Sequence, residues 1–553
     1  MNPSREQNNR LAPLWRKLPP NLAAALVLSA DGEERLSRLA EALLGAIGNP
    51  PDPDLIALFA DMTLAAWECS LLSGRAASVV HQVHDQRPFL SGQAAVFSAT
   101  CATLRPTEPG RADAVNAAIR AGDIELAKKL VDAAVQAEAG NLFWLRFAVY
   151  LGIHLGELDW YEPWLANLAM PGGFASVFLA DYAFARTDYA KAADLYVKAF
   201  ARTALPEYLT REGECRLRLG DREAARQCWG KALDLRPWQT NLRLRLTDLE
   251  RGADIPGPPP QGRGEILLYS WNHAPDLDKA LAALAASDLG SCGLTVLNNG
   301  SSDNTAEVIQ SWQDRFGERL RTIALPTNVG APAARNWLLT LPYTKTADWV
   351  AFLDDDALVP PDWLGHFGTA LRLYPEAGIV GCRVVDMAAP MCIQSVDLHF
   401  EPEEPAAQDA KPGCSDASPR SGNNVTDSHM NGPDFGQYSY LRQAVSVTGC
   451  CHLLTRKNIE KTGLFDLRFS PSQFDDFERD LRSCMAGDYP LYQGHLQVRH
   501  IKRSGVIAGI SPWQRANVNG NLVKLWESYG TTEIAKITDA SPLFAGQGGM
   551  AHS

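Results

Sequence analysis

A segment dense in proline and glycine, residues 252–264, divides this chain into two parts with different sequence patterns. Its sequence, GADIPGPPPQGRG, cannot continue a helix, and such segments form semi-rigid spacers. The part before it is rich in alanine and leucine and has helical periodicity. The part after it alternates short apolar segments typical of strands with segments typical of helices. The sequence therefore predicts an all-helical N-terminal part and an α/β C-terminal part.

The N-terminal part contains a repeated pattern. The sequence GDREAA from Gly220, followed by KAL, recurs 33 residues earlier from Thr187 as TDYAKA followed by KAF. Weaker copies begin at Gly122 and Gly156. The spacing and the sequence GDREAARQCWGKALDLRP resemble the tetratricopeptide repeat, which is built from pairs of helices. We therefore predict tetratricopeptide-like helical repeats over residues 111–251.

Residues 1–110 also have helical periodicity, but no repeat can be phased there. Stacked repeats bury their apolar faces against one another, because one unit cannot bury its own. Their concave surface often binds an extended peptide or mediates self-association. A packing role without any ligand is the alternative, and the sequence leaves both open.

Charge and composition exclude some classes of function. The net charge of −12 and the pI of about 5.5 argue against non-specific nucleic-acid binding. No stretch reaches 18 apolar residues and no signal-peptide pattern is present, so we expect a cytoplasmic protein without a membrane span. The 11 cysteines include no C-x-x-C pair. Cys450, Cys451 and His452 are adjacent but lack a second ligand pair, so we expect buried free thiols rather than a zinc site.

The α/β part begins with the apolar segment GEILLYSW and continues with LTVLNN, LRTIAL and DWVAFLDDD, each separated by a helical segment. Such alternation gives a largely parallel sheet in a three-layer arrangement. Ligands of such sheets bind beyond the carboxyl ends of the strands. We expect this domain over residues 265–530, followed by a tail at 531–553.

Three carboxylates, Asp354, Asp355 and Asp356, follow the apolar strand that ends at Leu353. Carboxylates this close repel one another unless a cation lies among them. Alternate side chains of an extended segment point the same way, so Asp354 and Asp356 can share a face. Hard oxygen ligands suit Mg²⁺ or Mn²⁺. A solvated acidic turn is the alternative.

Further motifs lie before and after these aspartates in the chain; the first two stand at the ends of predicted strands, and the third opens a predicted helix. They are YSWN at 269–272, NNGSSDNT at 298–305, NVGAPAARN at 328–336, GC at 449–450, GLFD at 463–466, FDDFERDLR at 474–482 and VRH at 498–500. In order and spacing, this series resembles family 2 glycosyltransferases over about residues 264–505. The resemblance implies a GT-A fold, a Rossmann-like mixed sheet with helices on both faces. It also implies inverting transfer of a sugar from a nucleotide diphosphate.

The resemblance implies a nucleotide pocket at the first two strand ends. Ser270, Trp271 and Asn272 would line the base pocket, with Trp271 as a stacking face. Asn298 or Asn299 would meet the base edge. The family often has Asp at the first of these positions, and an Asn carbonyl is a weaker acceptor. A UDP-sugar remains the expected donor.

The resemblance also implies roles for the basic and acidic side chains near the donor phosphates. Arg335 would reach the nucleotide or a phosphate, although it could instead form a structural ion pair. Asp354 would hold the ribose, and Asp355 would also lie at the donor. Asp356 would bind a divalent metal, with Asp354 and His500 as further ligands. A purely structural histidine is the alternative for His500.

An inverting transfer needs a carboxylate that deprotonates the acceptor as it attacks. In the family pattern F-E-D-x-D, Asp476 takes the position of this base, and Asp475 replaces the usual Glu. We expect Asp476 to be the base, with Asp475 as the second candidate. An ordinary acidic helix start is the alternative reading.

Residues 401–437 are rich in proline, glycine, serine, asparagine and aspartate, and are expected to form a long loop near the acceptor side. The helical repeats favour a protein or peptide acceptor, with a glycan as the rival. A catalytically idle scaffold that binds partners through its repeats is the alternative function. A nucleotidyltransferase would need a basic, glycine-rich loop after the first strand, and YSWNHAPD has none.

Overall fold

The computed structural model describes residues 14–28, 31–166, 170, 173–401, 425–426, 429–430, 432–502 and 511–544. Its N-terminal part is all-helical, as predicted. The helices are α1 Pro20–Leu28, α2 Glu33–Ala46, α3 Pro53–Cys69, α4 Gly74–Gln86, α5 Gly92–Ala102, α6 Pro109–Ala121, α7 Ile124–Ala137, α8 Leu142–Leu155, α9 Leu158–Ala166, α10 Phe174–Ala185, α11 Tyr189–Thr203, α12 Glu207–Arg218, α13 Arg222–Leu235 and α14 Thr240–Arg251.

Helices α12 and α13 form an antiparallel pair over the clearest copy of the repeat. The Asp221 side chain caps α13 by accepting a hydrogen bond from the Ala224 N–H at 3.0 Å, and Asp188 caps α11 in the same way. Gly213 lies where the two helices cross. A Cβ atom at this position would come within 2.3 Å of the Trp229 Nε1 atom. The absence of a side chain at Gly213 therefore allows the two helices to approach closely.

The C-terminal part is a mixed sheet with helices on both faces. The strands are β1 Gly264–Ser270, β2 Gly293–Asn298, β3 Leu320–Ala324, β4 Trp349–Leu353, β5 Ala357–Leu358, β6 Ile379–Asp386, β7 Ile393–Ser395, β8 Leu441–Gln443, β9 Cys451–Thr455 and β10 Leu491–His500. The helices are α15 Ala274–Ala285, α16 Thr305–Ser311, α17 Gln313–Phe316, α18 Ala331–Thr340, α19 Pro342–Lys345, α20 Trp363–Leu373, α21 Arg456–Thr462, α22 Asp475–Met485, α23 Pro512–Ser528 and α24 Thr531–Asp539.

The strand order is β3-β2-β1-β4-β9-β6-β10-β5, with β7 beside β6 and β8 beside β10. The first four strands are mutually parallel, as the alternating pattern predicts. Strand β9 runs antiparallel to both of its neighbours, β4 and β6. The sheet is therefore mixed, which agrees with the fold class that the resemblance implies.

Alternation of side chains along β1 builds the core on both sides of the sheet. Ile266 and Leu268 belong to the apolar cluster that contains Leu277 and Leu281 of α15. Leu267 belongs to the opposite cluster, which contains Leu338 of α18. Successive side chains of a strand point to opposite faces, so a fully apolar strand is suited to a position between two helical layers. The expected three-layer arrangement is present.

Residues 252–264, predicted as a spacer, pack against the α/β part of the chain. The Gly257 N–H donates to the Gly365 carbonyl at 3.0 Å, and the Thr369 hydroxyl donates to the Ile255 carbonyl at 2.9 Å. Ala253 is fully buried in the apolar cluster that also contains Phe367 of α20. The segment lacks regular secondary structure, but these contacts hold it along α20.

The two parts of the chain share a buried interface. Asp248 of α14 accepts hydrogen bonds from the Leu441 N–H at 2.6 Å and from His495 Nε2 at 3.0 Å. Phe435 lies within the helical core, with its ring centroid 3.9 Å from the Arg211 guanidinium carbon. Among the described helices, none is both long and apolar enough to cross a membrane.

Candidate active site

The end of β4, the end of β10 and the start of α22 bring acidic and basic side chains together. Asp354 directly follows β4, and its N–H donates to the Cys450 carbonyl at 2.8 Å. His500 is the last residue of β10 and pairs with Ala357 in β5. Asp475 opens α22. Residues far apart in sequence therefore meet at one edge of the sheet, where the strand-end rule expects a ligand.

His500 is held in a defined orientation by a chain of hydrogen bonds. The Gln394 amide nitrogen donates to the Lys502 carbonyl at 3.0 Å, which leaves its oxygen facing His500 Nδ1 at 2.8 Å. Nδ1 therefore donates to Gln394, and Nε2 faces Asp356 Oδ1 at 3.0 Å. Metal-binding histidines in proteins typically have such an outer partner, which fixes the tautomer.

The donor atoms at this place fit a divalent cation. The Asp354 carboxylate, the Cys450 thiol and the His500 imidazole each have a ligand atom within 4.8 Å of the others. Asp356, in contact with His500, adds a further carboxylate. Carboxylate oxygens with one imidazole suit Mn²⁺ or Mg²⁺, whereas a thiol is a softer ligand than these ions prefer.

Burial and mutual repulsion perturb the three carboxylates differently. Burial raises the pKa of Asp354 to about 7, against the lowering effect of Arg335, and burial raises the pKa of Asp355 to about 6. For Asp356, burial acts upward, but the hydrogen bond and charge of His500 bring the pKa below its ordinary value. A cation placed among these groups would relieve the repulsion and the desolvation.

Arg335 joins the two acidic motifs. One guanidinium nitrogen is 2.6 Å from Asp475 Oδ2, and another is 3.4 Å from both Asp354 Oδ1 and the Gly449 carbonyl. The guanidinium is buried between the rings of Tyr269 and Phe465. The structure thus places this arginine in the ion-pair arrangement that was the alternative to a phosphate contact.

The two candidate bases differ in their surroundings. Asp475 is only 2% exposed and is paired with Arg335, and burial raises its pKa, as does the charge of Asp476. Asp476 is half-buried and accepts a hydrogen bond from the Gly449 N–H at 2.7 Å. A Cβ atom at position 449 would come within 2.6 Å of Asp476 Oδ2, so the close approach requires glycine there. Asp476 is the carboxylate of the pair that remains accessible.

The end of β1 supplies an exposed ring and a turn. Trp271 is 47% exposed, whereas Ser270 is fully buried and therefore does not line an open pocket with its side chain. Asn272 has a left-handed backbone with φ 56°. Its side-chain oxygen accepts from the Ser302 N–H at 2.7 Å and ties the end of β1 to the loop after β2.

The two asparagines expected at the base edge both bond within the protein. Asn298 Oδ1 accepts from the Ser301 N–H at 2.9 Å. Asn299 is 2% exposed, donates to Asn328 Oδ1 at 2.9 Å and accepts from the Val329 N–H at 3.1 Å. Asn299 thus fastens the loop after β2 to the loop before α18, and Asn298 is the more accessible of the two.

Residues 266–396 match the model of the family described as Glycosyl transferase family 2. The chain contains a family 2 glycosyltransferase domain. The match covers less than half of the chain and includes most of β1, all of β2 to β7 and the three aspartates after β4. The comparison with curated proteins finds no matching sequence.

Two solved structures illustrate what the glycosyltransferase domain is similar to. The mannosyltransferase PcManGT from Pyrobaculum calidifontis, solved with GDP-Man and Mn²⁺, is 16% identical, with a TM-score of 0.32 over 55% of this chain and 86% of that one. GalNAc-T7, solved with UDP, GalNAc and Mn²⁺, is 11% identical, with a TM-score of 0.35 over 49% of this chain and 50% of that one.

Sequence reasoning missed two residues of the candidate site. Gln394 contacts His500 from 106 positions away, in a strand that no motif includes. Cys450 was noted in the sequence, but not as a neighbour of Asp354 and His500. Only the pairing of β4 with β9, which sets Leu353 opposite Cys451, places the Cys450 backbone beside Asp354.

The long loop expected near the acceptor falls mostly outside the described residues, which omit 402–424, 427–428 and 431. Its described end, residues 432–437, contacts the helical domain through Phe435. The ring of Phe435 lies 5.3 Å from that of Phe184 in α10. This end of the loop therefore joins the glycosyltransferase domain to the helices.

Proposed function

We propose that the glycosyltransferase domain is metal-dependent and inverting, and that it moves a sugar from a nucleotide diphosphate to a protein or peptide acceptor. The observation that carries this proposal is the meeting of Asp354, Asp475 and His500 at one sheet edge. These groups come from three separate motifs, and Arg335 joins two of them. An acidic turn with only a structural role would not require side chains from three separate motifs to meet.

The donor would lie along the ends of β1, β2 and β4. Trp271 offers a flat face for the base, and Asn298 a polar edge. A UDP-sugar is the first candidate, since an amide carbonyl can accept a hydrogen bond from uracil. Asp356 and His500 would hold Mn²⁺ or Mg²⁺, with Asp354 beside them. The ion would offset the charge that develops on the departing diphosphate.

Asp476 is the proposed base. It would take the proton from the acceptor hydroxyl as the acceptor oxygen forms its bond to the anomeric carbon. The bond from that carbon to the diphosphate oxygen breaks in the same step, and the configuration inverts. The Gly449 N–H donates to one oxygen of Asp476, while Asp475 is paired with Arg335. This division of roles favours Asp476 over Asp475 as the base.

The acceptor is proposed from the architecture. Fourteen helices precede the domain in the part of the chain that the structure describes, and an extended peptide suits a groove between stacked helices. A glycan acceptor is the rival. The helices could also bind a partner protein or a second copy of this chain.

The test is release of nucleoside diphosphate from a panel of nucleotide sugars with Mn²⁺, Mg²⁺ or EDTA. Turnover of one donor is expected, and it should be lost with EDTA and in Asp356→Ala. Asp476→Asn should bind that donor normally but lose turnover by about 10²–10⁴-fold, the usual contribution of a general base. Lys231→Ala, on the exposed surface of α13, is the control. Failure of the wild type to bind any donor would favour the idle scaffold.

A further inference from the structure

The chain enters the proposed base motif through a constrained turn. Gln473 and Phe474 both have left-handed backbones, with φ 81° and φ 67°, directly before Asp475 and Asp476. Few non-glycine residues adopt such angles, and they persist only where the surrounding structure imposes them. Something outside the turn must therefore hold it.

The side chain of Asn521, in α23, contacts this turn from outside the sheet. Its amide nitrogen lies 3.0 Å from the Phe469 carbonyl, 2.9 Å from the Ser472 carbonyl and 3.1 Å from the Gln473 carbonyl. Asn521 is only 1% exposed. One amide nitrogen thus contacts the carbonyls of Ser472 and Gln473 in the turn and that of Phe469 shortly before it.

Neighbours on the same helix fix the direction of this amide. Lys524 Nζ donates to Asn521 Oδ1 at 2.8 Å, so the nitrogen must face the three carbonyls. Lys524 also donates to the Arg468 carbonyl at 2.7 Å, and Asn517 donates to the Ser472 carbonyl at 2.8 Å. Residues 517, 521 and 524 lie on one face, because side chains three and four positions apart are neighbours on a helix.

The C-terminal end of α23 also makes apolar contacts with residues on both sides of Asp475 and Asp476. Leu525 and Tyr529 pack in one cluster with Phe469 and Phe477. The Tyr529 hydroxyl donates to Glu478 Oε1 at 2.9 Å. Helix α23 and Tyr529, the residue that follows it, therefore contact the chain both before and after Asp475 and Asp476.

We propose that Asn521 is a positioning residue for the base, acting through the turn that leads to Asp476. The inference rests on the proposed function. It assigns α23, which lies beyond the residues that match the family model, a part in placing the catalytic carboxylate.

The test compares Asn521→Ala with Val523→Ala, an exposed position on the same helix. Both variants are assayed with the donor that the wild type turns over, together with donor affinity by calorimetry and the melting temperature. In Asn521→Ala, kcat should fall by about 10²-fold, since a displacement of about 1 Å costs this much, while the donor Kd stays within twofold. Val523→Ala should keep the wild-type kcat.

Two further variants keep the inference testable if Asn521→Ala folds poorly. Asn517→Ala removes one hydrogen bond to the turn and should lower kcat severalfold with the donor Kd unchanged. Asn521→Asp turns a carboxylate toward three carbonyl oxygens and should lower kcat at least as far as alanine does.

The positioning role would be overturned if the activity of Asn521→Ala fell only in proportion to the fraction of the protein that still binds the donor. Full-rate turnover by folded Asn521→Ala, with an active wild type, would also remove this inference and leave the proposed function intact. Absence of donor turnover by the wild type would remove both.

Discussion

At the scale of single residues, Gln394 decides how His500 can act. It accepts from Nδ1 and so directs Nε2 towards Asp356. We expect Gln394→Ala to weaken Mn²⁺ binding by about 10–100-fold, because outer partners of metal ligands typically contribute this much. The measurement is the Mn²⁺ concentration that gives half-maximal donor turnover, supported by calorimetry with Mn²⁺.

The control for Gln394 is Gln310→Ala, at an exposed position of α16. Its Mn²⁺ requirement should equal that of the wild type. Unchanged Mn²⁺ affinity in Gln394→Ala would contradict the role of Gln394 as an outer partner of a metal-binding His500.

Asp480 gives the fold a pH dependence whose sign can be worked out. Burial raises its pKa to about 8, although the Val447 N–H and the Ser446 hydroxyl donate to it. The unfolded chain has an ordinary aspartate with a pKa of about 3.9. Between these values the folded state holds a proton on Asp480 that the unfolded state lacks, so the contribution of this group to stability falls as pH rises from about 4 to about 8.

We therefore expect Asp480→Asn to reduce the fall of the melting temperature between pH 5 and pH 8. Asp31 and Glu68, with pKa values raised to about 7 by burial, contribute equally to both proteins and cancel in the comparison. Equal falls in the two proteins would show that Asp480 is ionised in the folded state at neutral pH.

At the scale of elements, the pair α12–α13 depends on one small residue. Gly213→Ala would place a methyl group against the Trp229 ring, while the Trp229 Nε1 proton is donated to the Thr210 carbonyl at 3.0 Å. We expect the variant to be destabilised by about 1–3 kcal/mol, the usual cost of overpacking. The measurement is the melting temperature of the full chain.

Gly230→Ala is the matched control, because it lies in α13 and a Cβ there meets nothing within 4 Å. Alanine favours a helix over glycine by about 1 kcal/mol, so this variant should be as stable as the wild type or more stable. Similar melting temperatures for the two variants would contradict the close crossing.

At the scale of the whole molecule, Arg442 joins the glycosyltransferase domain to the first helix. Its Nε atom is 2.5 Å from Asp397 Oδ2, another nitrogen donates to the Val27 carbonyl at 3.1 Å, and the third contacts the Leu28 carbonyl. Arg442→Ala would leave Asp397 charged and buried, which costs about 3–5 kcal/mol when one partner of a buried pair is removed.

Calorimetry should show the effect of Arg442→Ala as a lower melting temperature and a separation of the helical and α/β transitions. Arg226→Ala removes an exposed pair with Glu223 and should leave the melting temperature close to that of the wild type, because solvent screens such pairs. A single unshifted transition in Arg442→Ala would show that this contact does not couple the two parts.

The sequence by itself determined those features that depend on local pattern. The alternation of short apolar segments with helical segments predicted β1 to β4, and the repeated pattern around Gly220 predicted helices in the region of α12 and α13. The order of short polar motifs after strands predicted a family 2 glycosyltransferase domain. These features follow from hydrogen bonding and side-chain periodicity within a few residues, so the local sequence is sufficient to specify them.

Only the tertiary structure decided which distant groups meet. The antiparallel pairing of β9 with β4 places Cys450 beside Asp354. The end of β10 places His500 in contact with both Asp356 and Gln394. Two further contacts also link positions far apart in the chain. Arg335 pairs with Asp475, and Asn521 donates hydrogen bonds to the turn before Asp476. Such contacts are set by strand order and by packing between layers, which one sequence read along its length does not record.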